Sequence, residues 1–349
     1  MATTGIIIVN YNGTTDTIEC LQSLYSLSSN DFNVYLIDNG SSLENFEDYL
    51  IRIKKISARF KEVQALVDIA TSNRTDLINK YFNTQQTSDH LSNEPTEHPV
   101  LFLIFNETNK GFAAANNQGI LLAQKLNAAY FWLLNNDTVL ESDSLNALIR
   151  FSELIKSENQ QPGLIGSKVL FYNNQNTIQT IGGIFNPFTS RQYHKGHKEK
   201  DNGQYDHAEV KINYPYGASI FFDTNFLNEV GLMNEKYFLY FEELDWSVRA
   251  MRKGFESRFC FESRVFHKQG NATGKKMNKT RSPFNTCLKS RNLLLFYTQH
   301  YFTLLPVAWL RLLLNAIKAF IKNDFEEAKM ITRVLFGFRN CFLIQQKND

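Results

Sequence analysis

The chain has 349 residues, of which 43% are hydrophobic and 21% are charged. This composition is typical of a folded globular protein and excludes the disordered, collagenous and multi-spanning membrane classes. With 37 basic and 35 acidic residues, the formal charge is +2, which argues against a dedicated nucleic-acid-binding protein. The length suffices for about two domains of average size.

The cysteines lie far apart and form no CxxC pair; they are Cys20, Cys260, Cys287 and Cys341. Their spacing suggests neither a zinc knuckle nor a disulfide framework, and a reducing cytoplasm is the simplest location. The first apolar run, Gly5 to Val9, is too short for a secretion signal and is typical of a strand.

Short apolar runs alternate with helical patterns through the first part of the chain, at residues 6–9, 34–37, 101–105 and 130–134. Runs without polar alternation are typical of strands buried on both faces, and intervening helices indicate parallel βαβ units. We therefore predict an α/β fold of the nucleotide-binding type. Residues 52–99 exceed what a crossover needs, so we expect a peripheral, partly helical insertion there.

The pattern after residue 140 is looser. Strand-like pieces occur at 164–172, 177–185 and 214–222, with a polar loop at 190–207. Residues 242–253 have a helical pattern, and Gly254 is the expected end of that helix.

The stretch from Arg264 to His300 is strongly basic, with eight lysines and arginines and no acidic residue. Its small, polar part at 270–276 is expected to be mobile. Two interpretations stay open: a solvated loop, or a flap that orders over an anionic ligand such as a diphosphate.

An apolar helix is predicted beyond Pro306. Its polar residues form one narrow stripe: Arg311, Asn315, Lys318 and Lys322. Because a bilayer-spanning helix needs ~20 apolar residues, this segment is expected to pack into protein or to lie on an anionic membrane surface. A following helix, started by Asp324 with Glu327 three residues later, could cover it.

Polar clusters follow the predicted strands, where open α/β sheets bind ligands. Asn10 to Gly13 follows the first strand, and Asp38 to Ser42 follows the second. Asp38 could accept hydrogen bonds from a base or a ribose, or could simply form an Asx-turn. The stretch from Asn109 to Gly119 has small residues at the mouth of a helix, and Lys110 could meet phosphate or ribose. It does not match GxGxxG, so a nicotinamide oxidoreductase is not indicated.

Two further clusters carry carboxylates. Asn135-Asn136-Asp137-Thr138 ends a buried strand, and its oxygen ligands would suit Mg²⁺ or Mn²⁺ in a weak, substrate-assisted site. Glu242, Glu243 and Asp245 stand at a helix start, where the helix dipole alone also favours acids. Asp245 and Arg249, four residues apart, could simply pair.

In this order, the clusters resemble the family 2 glycosyltransferases of the GT-A fold, particularly the rhamnosyltransferase-like bacterial branch. The matching segments are 7–12, 37–42, 109–119, 134–138, 216–218, 241–246 with Arg249, and 265–267. Together they cover roughly residues 5–270.

The resemblance implies a role for each matching residue. It implies that Asp38 binds a pyrimidine base in a nucleotide pocket. The residues of that pocket are Asn10, Tyr11, Asn12, Asp38, Asn39, Asn109, Lys110, Gly111, Asn117 and Asn136. Gly217 and Ala218 match a segment beside the donor sugar, and Asp137 with His267 matches the metal site. Glu243 falls at the general base, with Asp245 or Glu242 as alternatives.

The sequence departs from the family pattern at two of these positions. In place of the usual DxD motif, this chain has Asn135-Asn136-Asp137, which keeps one carboxylate. At the position of the general base, Glu243 replaces the Asp that is common in the family. There is also no QxxRW motif, so the processive synthases of the family match poorly.

The resulting hypothesis is an inverting, non-processive glycosyltransferase that uses a nucleoside-diphosphate sugar and Mg²⁺ or Mn²⁺. Its acceptor would be a hydroxyl of a glycan or lipid-linked molecule in surface polysaccharide synthesis, at the inner face of the cytoplasmic membrane. We expect a catalytic domain at 1–270, a basic loop and helix at 271–300, and amphipathic helices at 301–349. The alternative is a catalytically weak, nucleotide- or glycan-binding relative; a nucleotidyltransferase would need a Gly-rich N-terminal loop that this chain lacks.

Overall fold

The computed structural model describes residues 3–67, 73–82, 84–86, 99–207, 210–268, 282–338 and 340–342. The strands are β1 (Thr4–Asn10), β2 (Phe32–Asn39), β3 (Glu62–Val67), β4 (Thr84–Gln86), β5 (Val100–Asn106), β6 (Tyr130–Asn135), β7 (Thr138–Leu140), β8 (Pro162–Phe171), β9 (Asn174–Thr180), β10 (Gly183–Asn186), β11 (Arg191–His194), β12 (Ser219–Asp223) and β13 (Glu256–His267). The helices are α1 (Thr14–Leu24), α2 (Phe46–Ser57), α3 (Asn73–Tyr81), α4 (Phe112–Lys125), α5 (Ser144–Ser157), α6 (Thr224–Val230), α7 (Glu242–Met251), α8 (Pro283–His300), α9 (Leu305–Ile321) and α10 (Phe325–Leu335).

A single large sheet organises the described part of the chain, in the order β4-β3-β5-β2-β1-β6-β12-β8-β13-β7, with β9 beside β8. All neighbours from β4 to β6 are parallel, whereas β12 runs antiparallel to both β6 and β8. Apolar clusters cover both faces of the sheet. The predicted α/β class, a mostly parallel sheet flanked by helices, is confirmed.

The register of the central strands places their polar ends at one edge. Asn10 at the end of β1 stands opposite Asp38 of β2, and Val9 stands opposite Asn135 of β6. Helix α4 packs closely on these strands because Gly119 has no side chain: a Cβ there would lie 2.6 Å from Cγ2 of Ile7. The predicted clusters therefore meet in space.

The C-terminal helices share a hydrophobic core with α7. Leu244 and Val248 of α7 lie in one cluster with Leu288 and Phe296 of α8 and with buried residues of α9 and α10. The predicted start of α10 is confirmed, since the Asp324 side chain accepts a hydrogen bond of 3.1 Å from the Glu327 backbone amide. Helices α8 to α10 are thus anchored to the helix that carries the candidate acids.

Several elements differ from the sequence prediction. The 52–99 insertion contains α3 but also β3 and β4, which extend the sheet in parallel beyond β5. The piece predicted at 177–185 divides at Gly182, whose φ of 142° breaks the strand into β9 and β10. The 190–207 loop contains β11, and β13 was not predicted. The basic segment at 270–276 lies outside the described residues.

The cysteine prediction also needs correction. Cys287 of α8 and Cys341 form a disulfide although 54 residues separate them, because the packing of the C-terminal helices brings their Cα atoms to 5.7 Å. Cys20 and Cys260 are free and buried.

Candidate active site

Asn10, Asp38 and Ser41 form the centre of the predicted nucleotide pocket. Asn10 Nδ2 donates to Asp38 Oδ2 at 2.8 Å, and the Ser41 hydroxyl donates to the same oxygen at 2.6 Å. Ser41 N donates to Asp38 Oδ1 at 3.1 Å, which is the Asx-turn considered from sequence. Both interpretations of Asp38 are therefore compatible with this geometry.

Burial raises the pKa of Asp38, while hydrogen bonds from Ser41 and Asn10 and the charge of Arg74 oppose that rise. Arg74 lies 3.5 Å from Asp38 Oδ1, and its guanidinium packs 4.7 Å from the ring centre of Phe46. Arg74 belongs to α3, so the predicted insertion supplies a cation to this pocket.

Asn136, which directly follows β6, joins the same network. Its Nδ2 donates to Asn10 Oδ1 at 3.2 Å and to the Thr17 hydroxyl at 2.9 Å. Asn12 adds a link to the second strand, since its backbone amide donates to Ser41 Oγ at 2.9 Å. Tyr11 is partly exposed between them.

A second network connects β2 with the mouth of α4. Asn39 Nδ2 donates to Asn109 Oδ1 at 3.0 Å, and Asn39 Oδ1 accepts from the backbone amide of Lys110 at 3.0 Å. Gly111 has a φ of 89°, and a Cβ there would lie 2.6 Å from the Phe238 ring, so a larger residue would distort this turn. The Lys110 side chain is exposed.

Asn117 of α4 binds the turn formed by residues 233–235. Its Nδ2 donates to the Met233 carbonyl at 2.9 Å and to Glu235 Oε1 at 2.8 Å, and its Oδ1 accepts from Met233 N at 3.1 Å. These bonds hold α4 against the 233–235 turn, and the assignment of Asn117 as a nucleotide contact stays a prediction.

The structure brings Asp137 and His267 together, as predicted. His267 Nε2 lies 3.0 Å from Asp137 Oδ1, and both residues are buried. On the other side of the ring, His267 Nδ1 lies 3.0 Å from Gln179 Oε1 of β9. Gln179 therefore holds the His267 ring from the side opposite Asp137.

This arrangement fits a divalent cation. A carboxylate oxygen and an imidazole nitrogen 3.0 Å apart are close enough to be neighbouring ligands of one divalent cation. No group of three or more His, Cys, Asp or Glu side chains suited to a metal occurs in the described residues. Other ligands would therefore have to come from substrate or water.

Glu242 and Glu243 begin α7, and the Oε2 atom of each is buried without a hydrogen-bond partner among the described residues. Burial and the charge of Glu243 raise the pKa of Glu242 well above its ordinary value, and burial raises the pKa of Glu243 to about 7. A Cβ on Gly217 would lie 3.5 Å from Glu243 Oε1, so Gly217 adjoins this acid. Ala218 is buried, and its carbonyl accepts from Asn135 N at 3.1 Å.

Tyr216 lies between the candidate base and the candidate metal ligands. Its ring centre is 5.8 Å from that of His267 and 5.1 Å from that of His194. Burial and the nearby charges of Glu243 and Asp137 raise the pKa of Tyr216 to about 12. Tyr216 is therefore close to Glu243 and to the pair of Asp137 and His267.

Asp245 is placed as a structural residue. Arg249 Nε donates to its Oδ2 at 2.9 Å, and His300 Nε2 lies 2.7 Å from its Oδ1. Burial favours a higher pKa for Asp245, but the hydrogen bonds from His300 and Arg249 outweigh it and the pKa lies below its ordinary value. With both oxygens bound, Asp245 is a poor proton acceptor, which argues against that alternative.

The backbone before the acids is strained. Tyr240 and Phe241 have φ values of 73° and 76°, a conformation that costs non-glycine residues about 1–3 kcal/mol each. Asn292 of α8 donates from Nδ2 to the carbonyls of Leu239 and Tyr240, each at 2.9 Å. Helix α8 therefore holds the turn that presents Glu242 and Glu243.

Sequence reasoning missed several residues of this site. Tyr216 was inside a matching segment, but nothing in the sequence assigned it a role. Arg74, Gln179 and Asn292 carry no local signal, because each acts on a residue that is distant in sequence.

No protein-family model matches this sequence. The chain is 22% identical over 173 residues to the low-salt glycan biosynthesis hexosyltransferase Agl10 of Haloferax volcanii; the match covers 49% of this chain. The matched region spans about half of that relative, 53% of its length.

Two solved structures have a similar fold. The mannosyltransferase PcManGT of Pyrobaculum calidifontis, in complex with GDP-Man and Mn²⁺, has a TM-score of 0.50 at 10% identity, covering 99% of this chain and 79% of that one. GalNAc-T7 with UDP, GalNAc and Mn²⁺ has a TM-score of 0.50 at 14% identity, covering 76% and 44%. The chain has the fold of the GT-A glycosyltransferases.

Proposed function

We propose that the protein is a glycosyltransferase that moves a sugar from a nucleoside-diphosphate donor to a hydroxyl of a glycan or lipid-linked acceptor. The observation that carries this proposal is an acid at the start of α7, Glu243, whose Oε2 has no hydrogen-bond partner among the described residues and which adjoins Gly217 and Tyr216. Glu242 Oε2 also has no such partner, so Glu242 stays the alternative base. The similarity to a hexosyltransferase supports the reaction class.

In the proposed reaction, Glu243 accepts the proton of the acceptor hydroxyl while that oxygen attacks the anomeric carbon. The bond to the diphosphate breaks in the same displacement, so the configuration inverts. Asp137 and His267 would hold Mg²⁺ or Mn²⁺, and the cation would neutralise charge on the departing diphosphate. Gln179 holds the His267 ring in place, and the Asp38 network positions the nucleoside. We propose one sugar per acceptor encounter, since the chain has no QxxRW motif.

We place this reaction at the cytoplasmic face of the membrane, where a lipid-linked acceptor would be presented; the cysteines give this location no support, because Cys287 and Cys341 form a disulfide. The membership in the rhamnosyltransferase-like branch stays a prediction.

Product analysis with purified protein tests the function. UDP-, dTDP- and GDP-sugars are supplied with Mn²⁺, and nucleoside diphosphate release is measured with and without EDTA, together with donor binding by calorimetry. We expect release from one donor class, lost with EDTA and in Asp137→Asn; Glu229→Gln, an exposed acid on α6, is the matched control.

Folded protein that neither binds nor cleaves any donor would overturn the proposal. Tight donor binding without turnover would instead support the alternative of a binding relative.

A further inference from the structure

Helix α9 has two opposite apolar faces. One is buried against α8 and α10 through Ala308, Leu312, Ala316 and Ala319. The other carries Leu310, Leu314, Ile317 and Ile321 at helical spacing, with exposed fractions of 54%, 52%, 47% and 73%. Trp309 and Phe320 extend that outer face. A continuous apolar helix face of this kind is an interaction surface rather than a scatter of single exposed residues.

Cations border the outer face along one side. Arg311, Lys318 and Lys322 are spaced by seven and four residues, so they form one row along the helix. Helix α9 contains no acidic residue. An apolar face with a row of cations at its edge matches the two layers of an anionic bilayer surface, which are acyl chains and charged headgroups.

Residues Phe302–Ile321 are long and apolar enough to cross a membrane by length and composition alone. The inner face of α9 nevertheless belongs to the core that holds α7, α8 and α10. Crossing would require α9 to leave that core, whereas lying flat leaves the core intact and covers the outer face.

We propose that α9 docks this protein on an anionic lipid bilayer, lying in the interface with Leu310, Leu314, Ile317 and Ile321 toward the acyl chains. Arg311, Lys318 and Lys322 contact the headgroup phosphates. This docking deepens the proposed function, since it names the surface that brings the site to a lipid-linked acceptor. It depends on no catalytic residue.

Vesicle co-sedimentation of the full chain tests the docking. Vesicles of phosphatidylglycerol and phosphatidylcholine are compared with phosphatidylcholine alone, at low and high salt. We expect binding to the anionic vesicles that weakens with salt and falls about tenfold or more in Leu314→Glu/Ile317→Glu. Each cation replaced by Gln should weaken it about fivefold. Leu154→Glu, a 54% exposed leucine on α5, is the matched control and should bind like the wild type.

Three outcomes would overturn the docking: no binding to anionic vesicles, equal binding by the double variant, or resistance to alkaline carbonate extraction, which indicates a spanning helix. A dimer in light scattering that the double variant dissociates would assign the face to a second copy instead. Donor cleavage in solution should be unchanged in the folded double variant, so failure of the docking and failure of the glycosyltransferase proposal give separate readings.

Discussion

The pocket around Asp38 and the start of α7 each contain a buried carboxylate, but the two carboxylates differ in their hydrogen bonding. In both regions, burial raises the pKa of a carboxylate. Asp38 receives hydrogen bonds from Asn10 and from the hydroxyl and amide of Ser41. Glu243 Oε2 has no partner in the described chain. A carboxylate whose oxygens are both bound is held in a fixed place, whereas one with an open oxygen can accept a proton.

The same contrast occurs within α7. Asp245 stands two residues after Glu243 and has both oxygens bound by Arg249 and His300. The helix therefore separates a structural acid from a candidate base over half a turn. The environment, rather than the residue type, assigns the two roles.

The largest expected effect is the loss of the proton acceptor. Glu243→Gln keeps the side-chain shape but cannot take the hydroxyl proton, so kcat should fall about 10²- to 10⁴-fold. Donor affinity should change little, because Gln occupies the same volume. Steady-state kinetics and calorimetry with the donor measure the two quantities.

Asp38→Asn is the matched variant in the pocket around Asp38. It should weaken donor binding while a saturating donor restores most of kcat. If Glu243→Gln instead retained kcat, or Asp38→Asn lost kcat as completely, the division of roles between the two regions would be wrong.

A smaller effect is expected from the residue that holds the strained turn. Asn292→Ala removes two buried hydrogen bonds to the carbonyls of Leu239 and Tyr240, so the turn relaxes and Glu243 moves from its place. Buried polar groups left without partners cost about 1–3 kcal/mol, which corresponds to a loss of kcat of about 5- to 150-fold if the whole cost falls on the turn.

A second variant that relieves the backbone strain shows whether Asn292 positions Glu243 or only stabilises the fold. Glycine adopts positive φ freely, so Phe241→Gly should restore part of kcat to Asn292→Ala. Equal losses in the single and double variants, or a fall in thermal stability with kcat intact, would assign Asn292 a purely structural role.

Local pattern predicted the strand-end residues well. Asn10, Asp38 and Asn136 follow buried apolar runs, and parallel strands must bring such ends to one edge. The sequence could not decide which acid of α7 is free, because His300 lies 55 residues after Asp245. The same limit applies to the partner of His267, since Gln179 is 88 residues away. The hydrophobic periodicity indicates helices, strands and their buried faces. It does not indicate which side chains from distant parts of the sequence pair in the fold.

The smallest expected effect is the dependence of thermal stability on pH through the unpartnered acid Glu243. The pKa of Glu243 is about 7 in the folded chain and near 4.5 when exposed, so between these values only the unfolded state ionises. This group's contribution to stability is fully present below pH ~4.5 and is lost as the pH rises through ~7. Glu243→Gln removes the penalty, so its Tm should equal the wild-type value at pH 4 and exceed it by roughly 2–4 °C at pH 8. Calorimetric scans across this range measure the difference, and Glu229→Gln should show none. A lower Tm for Glu243→Gln at pH 8 would mean that the carboxylate is stabilised by a partner, and it would remove the contrast with Asp38.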